Sequence, residues 1–162
     1  NLSSAANHHC KPRGGQPDRF SNRAAFYDRV QAAFRGDMTF ESRVVGGVNL
    51  ITMENGLYVW YPGQLEKLKR EVARGYPCVI FCHVPLTSPE LNHTPEHAGR
   101  EADEETIAMT RRLTRYIDET SQIQAVFAGH EHRKLTLALP SGKPCYVLGA
   151  LFDGTVGEIV ID

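Results

Sequence analysis

Two apolar segments that each run into histidine decide the fold: Pro77–His83 reads PCVIFCH, and Ile123–His132 reads IQAVFAGHEH. A short apolar run bounded by turn residues predicts a strand buried on both faces, as in a parallel sheet. In an open α/β sheet, ligands collect in the crevice beyond the carboxyl ends of such strands. We therefore expect the imidazoles of His83, His130 and His132 at that edge, where they are candidate metal ligands.

The bulk composition predicts one globular domain. The chain has 162 residues, of which 41% are hydrophobic and 23% are charged. These are ordinary values for a single domain, which we expect to span residues 1–162. A net charge of −1 gives no clear nucleic-acid patch and no basic surface for anionic lipid. The longest apolar runs are strand-sized, which predicts no membrane-spanning segment.

The four cysteines do not form a disulfide framework in a chain of this length. Cys78 and Cys82 fall on one predicted strand, roughly 13 Å apart at about 3.3 Å per residue. That separation is too wide for a disulfide. We interpret them as reduced core residues, which favours a cytoplasmic location.

The order of the predicted elements is α/β in character, with an antiparallel end. After a loop or tail over residues 1–21, the pattern predicts helices at 21–35, 62–73 and 103–119. It predicts strands at 43–52 (with a bulge or turn at Gly46-Gly47), 57–61, 77–82, 123–128, 135–139, 145–148 and 155–161. Asn55-Gly56 is a hairpin signal before the strand at 57–61. The polar loop over residues 84–101 is long enough to suggest a functional lid.

Each histidine segment has a second interpretation that the residues leave open. Gly129 permits the sharp turn that brings His130 and His132 toward a common centre, but an exposed histidine-rich turn is the alternative. His83 precedes Val84-Pro85, which forces an extended exit from the strand, but a core histidine bonded to backbone is the alternative. The repetition of the strand-then-histidine arrangement favours metal ligation.

The two segments together resemble a known family. VIFCHVPL (79–86) and VFAGHEH (126–132) resemble the last two motifs of the calcineurin-like metallophosphoesterases, strand-His-x-Pro and Gly-His-x-His. The stretch from Val48 to Val72 is similar to the strand, hairpin and Gln-Leu helix that precede them in that family. The resemblance covers roughly residues 40–162 and implies an α/β fold, part of a two-sheet α/β/β/α sandwich that lacks its amino-terminal βαβ units.

The resemblance also implies a dinuclear metal site. In the family, two divalent metal ions are bridged by an aspartate. Carried over to this chain, His83 and His130 would bind one metal and His132 the other. Mn, Zn and Fe are not distinguishable, since mixed His/Asn/Asp sites accept all three.

The third motif of the family, Gly-Asn-His-Asp/Glu, has its best match at residues 6–9. The match implies Asn7 as a metal ligand and His8 as a catalytic proton donor or charge stabiliser near the leaving group. The glycine and the acidic residue of the motif are missing here. A polar tail without a role in the site is the alternative.

The first two motifs of the family, Asp-x-His and Gly-Asp-x-x-Asp, do not occur in this sequence. They normally lie upstream, so we expect this chain to be the carboxyl-terminal portion of a longer phosphoesterase domain. A separate amino-terminal half and a homo-oligomer are the open alternatives for a protein partner. Without the bridging aspartate, the histidines should bind metal weakly, and one metal at most.

The reaction implied by the resemblance is hydrolysis of phosphomonoesters or phosphodiesters, by metal-activated hydroxide attack on phosphorus. The substrate partner is then a phosphate ester, and Arg100 in the lid-like loop is a candidate substrate-binding residue. A solvated loop is the alternative for Arg100. Two alternatives to an enzyme stay open: a non-catalytic metallophosphoesterase-like binding scaffold and a truncated inactive fragment.

Overall fold

The computed structural model describes residues 36–56, 59–86 and 104–161, together with residues 29, 32 and 33. In this part of the chain, six strands form one mixed sheet in the order β1-β2-β3-β4-β6-β5. The strands and helices are β1 (Phe40–Val45), β2 (Val48–Met53), α1 (Gln64–Val72), β3 (Cys78–Phe81), α2 (Glu104–Glu119), β4 (Ile123–Ala128), β5 (Leu135–Ala138) and β6 (Pro144–Val147). The predicted α/β class is confirmed. All described strands belong to one sheet, and the second sheet of the sandwich remains a prediction.

Both helices cover the same face of the sheet. The connections β2–α1–β3 and β3–α2–β4 join parallel neighbours and step the same way across the sheet. Because such crossovers are almost always right-handed, two successive steps in one direction place both helices on one side. Leu68 of α1 and Leu113 of α2 are fully buried in the same core as Ile51, Ile80 and Val126. At the far edge, β5 runs antiparallel to β6, as predicted.

The two helices follow their predicted bounds closely. Gly63, at φ 82°, is the residue before α1, and the helix begins at Gln64. In α2 the buried residues are Thr110, Leu113 and Ile117, which share one face at helical spacing. In the described part of the chain, neither helix is both long and apolar enough to cross a bilayer. The helix predicted over 21–35 lies almost entirely outside the described residues.

The hairpin predicted at Asn55-Gly56 is wrong. The turn between antiparallel strands lies instead at Gly46-Gly47, which joins β1 to β2 with φ values of 55° and 80°. Because β2 pairs with β1 on one edge and with β3 on the other, no edge is left for a strand that follows it. Residues 57 and 58 lie outside the described residues, and 59–61 form no strand.

The last predicted strand, residues 155–161, is also wrong. The chain leaves β6 through a single turn of 3-10 helix, Leu151–Asp153, which ends at Gly154 with φ 74°. Beyond it, residues 155–161 are irregular, and Val156 and Val160 are 79% and 72% exposed. β6 already pairs with β4 and β5, so neither of its edges can accept this segment.

The sheet face opposite the helices carries a row of aromatic rings. Phe81, Phe127 and Tyr146 are neighbours across three strands, with ring centroids 5.4 Å and 5.0 Å apart. Side chains alternate along a strand, so this row faces away from Ile80 and Val126 of the core. The three rings are half-buried, and they stabilise the sheet through cross-strand stacking.

Candidate metal centre at the carboxyl edge of the sheet

Four parallel strands deliver their following residues to one edge of the sheet. β2, β3, β4 and β6 all run in the same direction, so the residues after Met53, Phe81, Ala128 and Val147 meet there. We call this edge the carboxyl edge. It is the position at which open α/β sheets bind ligands.

The main chain of His83 is fixed on both sides by hydrogen bonds. Its N–H donates to the side-chain Oδ1 of Asn55 at 2.9 Å, and its carbonyl accepts from the N–H of Gly129 at 3.0 Å. The residue is only 5% exposed. The turns after β2, β3 and β4 are therefore tied directly to one another at the site.

The turn after β4 uses an unusual backbone conformation. His130 and His132 have φ values of 70° and 53°, in the left-handed region. The sequence led us to expect the unusual backbone conformation of this turn at Gly129, but Gly129 does not have a positive φ. Its N–H instead bonds to the His83 carbonyl. Histidine is among the residues that tolerate the left-handed region best, although the conformation still costs about 1–2 kcal/mol.

The structure brings His83 and His130 into direct contact. Nδ1 of His130 lies 3.1 Å from Nε2 of His83, and the rings meet edge to face, with centroids 5.0 Å apart and planes at 80°. If both imidazoles are neutral, one of these two nitrogens carries a hydrogen atom and donates a hydrogen bond to the other. Two nitrogens that each lie about 2.1 Å from one metal ion, in octahedral or tetrahedral coordination, are about 3.0–3.4 Å apart. The pair therefore fits two ligands of a single divalent metal.

His132 lies in a different local environment. Its ring packs edge to face on Phe152, with centroids 5.0 Å apart and planes at 86°. Within the described ranges, no group of three or more His, Cys, Asp or Glu side chains is arranged to hold a metal ion. The described chain thus assembles two of the three predicted histidine ligands into a pair.

Sequence reasoning missed two residues at this edge. Asn55 was interpreted only as a turn former, yet its side chain is fully buried and bonds to the main chain beside His83. Glu131 lies between the two left-handed histidines, with Oε2 3.8 Å from Arg133. Its Oε1 is buried and has no hydrogen-bond partner in the described part of the protein. A polar residue directly after a buried strand was the signal that could have identified Asn55.

The thiols near the site are core groups. Burial raises the pKa of Cys82 well above its usual value, and the nearby Cys145 and Glu54 raise it further. Burial likewise raises the pKa of Cys145 to about 11. Both thiols are therefore protonated at neutral pH, which agrees with their interpretation as reduced core residues.

Three predicted site residues lie outside the described residues: Asn7, His8 and Arg100. Of the predicted lid-like loop, only Val84, Pro85 and Leu86 are described, and all three are buried. The roles given to these residues stay predictions.

Comparisons with known proteins leave the family open. No protein-family profile and no curated protein matches this chain. One similar solved structure is a Staphylococcus aureus protein provisionally named a 5′-nucleotidase, in complex with α-ketoglutarate. It is 18% identical, with a TM-score of 0.39, over 70% of this chain and 24% of that one. This chain thus spans about a quarter of the length of that protein, and the likeness is too low to assign a function.

Proposed function

We propose that this protein is a metal-dependent hydrolase of phosphomonoesters or phosphodiesters, of the calcineurin-like metallophosphoesterase type. The observation that carries the proposal is the 3.1 Å separation between Nδ1 of His130 and Nε2 of His83. These residues are 47 positions apart, and they are the two histidines to which the motif resemblance gives the same metal ion. Their position at the carboxyl edge of the sheet agrees with a substrate site there.

The chain's own residues would divide the work as follows. His83 and His130 would hold the first divalent metal, and His132, from the same turn as His130, would bind the second where the missing motifs of the family complete the site. When bound, a divalent metal supplies Lewis-acid activation of the phosphoryl group and of the attacking water. The hydrogen bonds to the main chain of His83 keep its backbone in place, so that the turn needs little reorganisation for metal binding.

The roles of the remaining candidates follow from the motif resemblance. Asn7 completes the coordination through its amide oxygen, and His8 donates a proton to the leaving oxygen or stabilises its charge. Arg100 binds the phosphate ester through its planar fork of N–H donors. Mn, Zn and Fe are all suited to this mixture of imidazole and oxygen ligands.

Metal titration combined with an activity assay tests the proposal. The metal-free protein would be titrated with Zn²⁺ and Mn²⁺ by calorimetry, and then assayed on an aryl phosphate monoester and on the matching diester. We expect one weakly bound metal per chain and metal-dependent release of the aryl alcohol. Hydrolysis that persists at full rate in the presence of a chelator would contradict the proposal.

A non-catalytic binding scaffold is the second candidate. It is favoured by the finding that, among the described residues, two candidate ligands meet rather than three. A scaffold of this kind would bind inorganic phosphate without turning over an ester. A folded protein that binds phosphate but binds no metal and hydrolyses neither ester would support this alternative.

A further inference from the structure

The turn that carries His83 is held by one buried side chain from another strand. Oδ1 of Asn55 accepts hydrogen bonds from the N–H groups of His83, at 2.9 Å, and of Val84, at 2.8 Å. Its Nδ2 donates to the carbonyl of Val84, also at 2.8 Å. One amide therefore bonds to three consecutive peptide units, those that join residues 82–83, 83–84 and 84–85.

The side chain that forms these bonds is itself held firmly. Asn55 and Val84 are fully buried, and His83 nearly so. The preceding residue, Glu54, receives a bond from Gln64 Nε2 to its carbonyl at 2.9 Å and donates its N–H to Thr39 at 3.0 Å. The carboxylate of Glu54 also accepts from the N–H of Gly56. Asn55 is thus anchored on both sides before it reaches across to the next turn.

We propose that Asn55 is the positioning residue of the histidine pair, because it sets the location of the His83 main chain and so the distance from His83 Nε2 to His130 Nδ1. The expected effect of Asn55 on metal binding rests on the proposed function. The claim that Asn55 sets the distance between the two ring nitrogens rests only on the observed geometry. Metal ligands need to be held to within about 0.5 Å of their working position. Loss of the three bonds from the Asn55 amide frees the turn at the residue that carries the ligand.

Asn49 offers a control at the opposite edge of the sheet. Like Asn55 it is a fully buried asparagine, and its Nδ2 donates to a carboxylate oxygen of Glu71 at 2.8 Å. It lies in β2 opposite Cys78, the first residue of β3, so it is remote from the turns after β3 and β4. Asn49→Ala should therefore lower the stability while leaving the histidine pair in place.

The experiment compares both variants with the wild-type protein in two measurements. In the metal-free state, ¹⁵N-labelled imidazoles report the His83–His130 hydrogen bond through the coupling between Nδ1 and Nε2. In the second measurement, the affinity for Zn²⁺ is determined by calorimetry below the melting temperature of each variant. We expect Asn55→Ala to lose the nitrogen coupling and to bind Zn²⁺ about tenfold more weakly or worse, as partners of ligating histidines do. Asn49→Ala should keep both.

Asn55→Asp separates positioning from general stability. It keeps an oxygen that accepts from both N–H groups, so the nitrogen coupling should persist. Zn²⁺ binding is not measured for this variant, because the added carboxylate would itself attract a cation. The positioning role is overturned if folded Asn55→Ala keeps the coupling or if Asn49→Ala loses it equally. Should Asn55→Ala not fold, the role is overturned if folded Asn55→Ser, whose shorter side chain cannot replace the three bonds, keeps the coupling. Absence of Zn²⁺ binding in the wild-type protein would instead count against the proposed function, while the coupling would still decide the role of Asn55.

Discussion

The indole N–H of Trp60 donates a hydrogen bond to the hydroxyl of Thr114 at 3.0 Å, across 54 residues of sequence. Trp60 is fully buried, and its main-chain N–H donates to the hydroxyl of Thr110 at 3.2 Å. The connector between β2 and α1 is therefore fastened to α2 through two threonines on one side of that helix. Asn55 lies in the same connector, so these bonds also support the site.

This relationship predicts the effect of removing one hydroxyl. Thr114→Val keeps the shape of the side chain but leaves the indole N–H of Trp60 without its acceptor. We expect the free energy of unfolding to fall by about 1–2 kcal/mol, measured by urea denaturation. In a Trp60→Phe background, which lacks the donor, the same substitution should cost less than half as much. An equal loss in both backgrounds would show that the hydrogen bond contributes nothing.

The histidine pair predicts a difference between two neighbouring alanine variants. His130→Ala removes a ring that contacts His83, so we expect it to abolish binding of the first metal ion. His132→Ala removes a ring that packs on Phe152, so binding of the first metal should change by less than about threefold, well short of the effect of losing a ligand. Calorimetric titration with Zn²⁺ measures both. An unchanged metal stoichiometry in His130→Ala would rule out its assignment as a ligand.

The sequence was a good guide to the parts of the fold that depend on local pattern. The strand predicted over residues 123–128 has those bounds in the structure, and α2 ends at residue 119 as predicted. Both segments have an apolar period that matches their buried side. The strand-end rule also predicted that His83 and His130 lie at one edge of the sheet, because parallel strands deliver the residues that follow them to the same edge. Their role as metal ligands stays a prediction.

The errors arose where tertiary contacts override a local signal. Asn55-Gly56 has the composition of a hairpin turn, but its asparagine bonds to residues 28 and 29 positions away, which no local pattern reveals. The segment 155–161 has β-forming residues, but the strand before it, β6, is already paired on both edges and cannot accept it as a neighbour. The sharp turn after β4 was expected at Gly129, because glycine adopts a positive φ at least cost. In the structure the positive φ values occur at His130 and His132 instead.

The left-handed backbone at residue 132 predicts an unusual order of stability. At φ 53° an alanine keeps the steric conflict of its Cβ, whereas a glycine relieves it. We therefore expect His132→Gly to be more stable than His132→Ala by about 1 kcal/mol, the reverse of the order found in helices. Both variants lose the same contact with Phe152, so their difference reports the backbone alone. Thermal unfolding measures it, and a more stable alanine variant would contradict the left-handed geometry.

Glu71 predicts how the protein responds to acid. Burial raises the pKa of its carboxyl, but hydrogen bonds from Asn49, at 2.8 Å, and from Arg74, at 2.6 Å, outweigh that effect and leave the pKa below its usual value of 4.5. A carboxyl whose pKa is lower in the folded state stabilises the fold above its unfolded pKa. That contribution is lost as the pH falls through the folded pKa.

Glu71→Gln should therefore lower the urea midpoint near neutral pH and show a smaller further loss than the wild-type protein between about pH 5 and pH 3. Glu66→Gln is the matched control, because Glu66 lies on the same helix but is 65% exposed and forms a surface ion pair with the exposed Lys69. This control should follow the wild-type curve at every pH. If the gap between wild type and Glu71→Gln stays constant across that interval, the carboxylate of Glu71 is not the group that acid titrates.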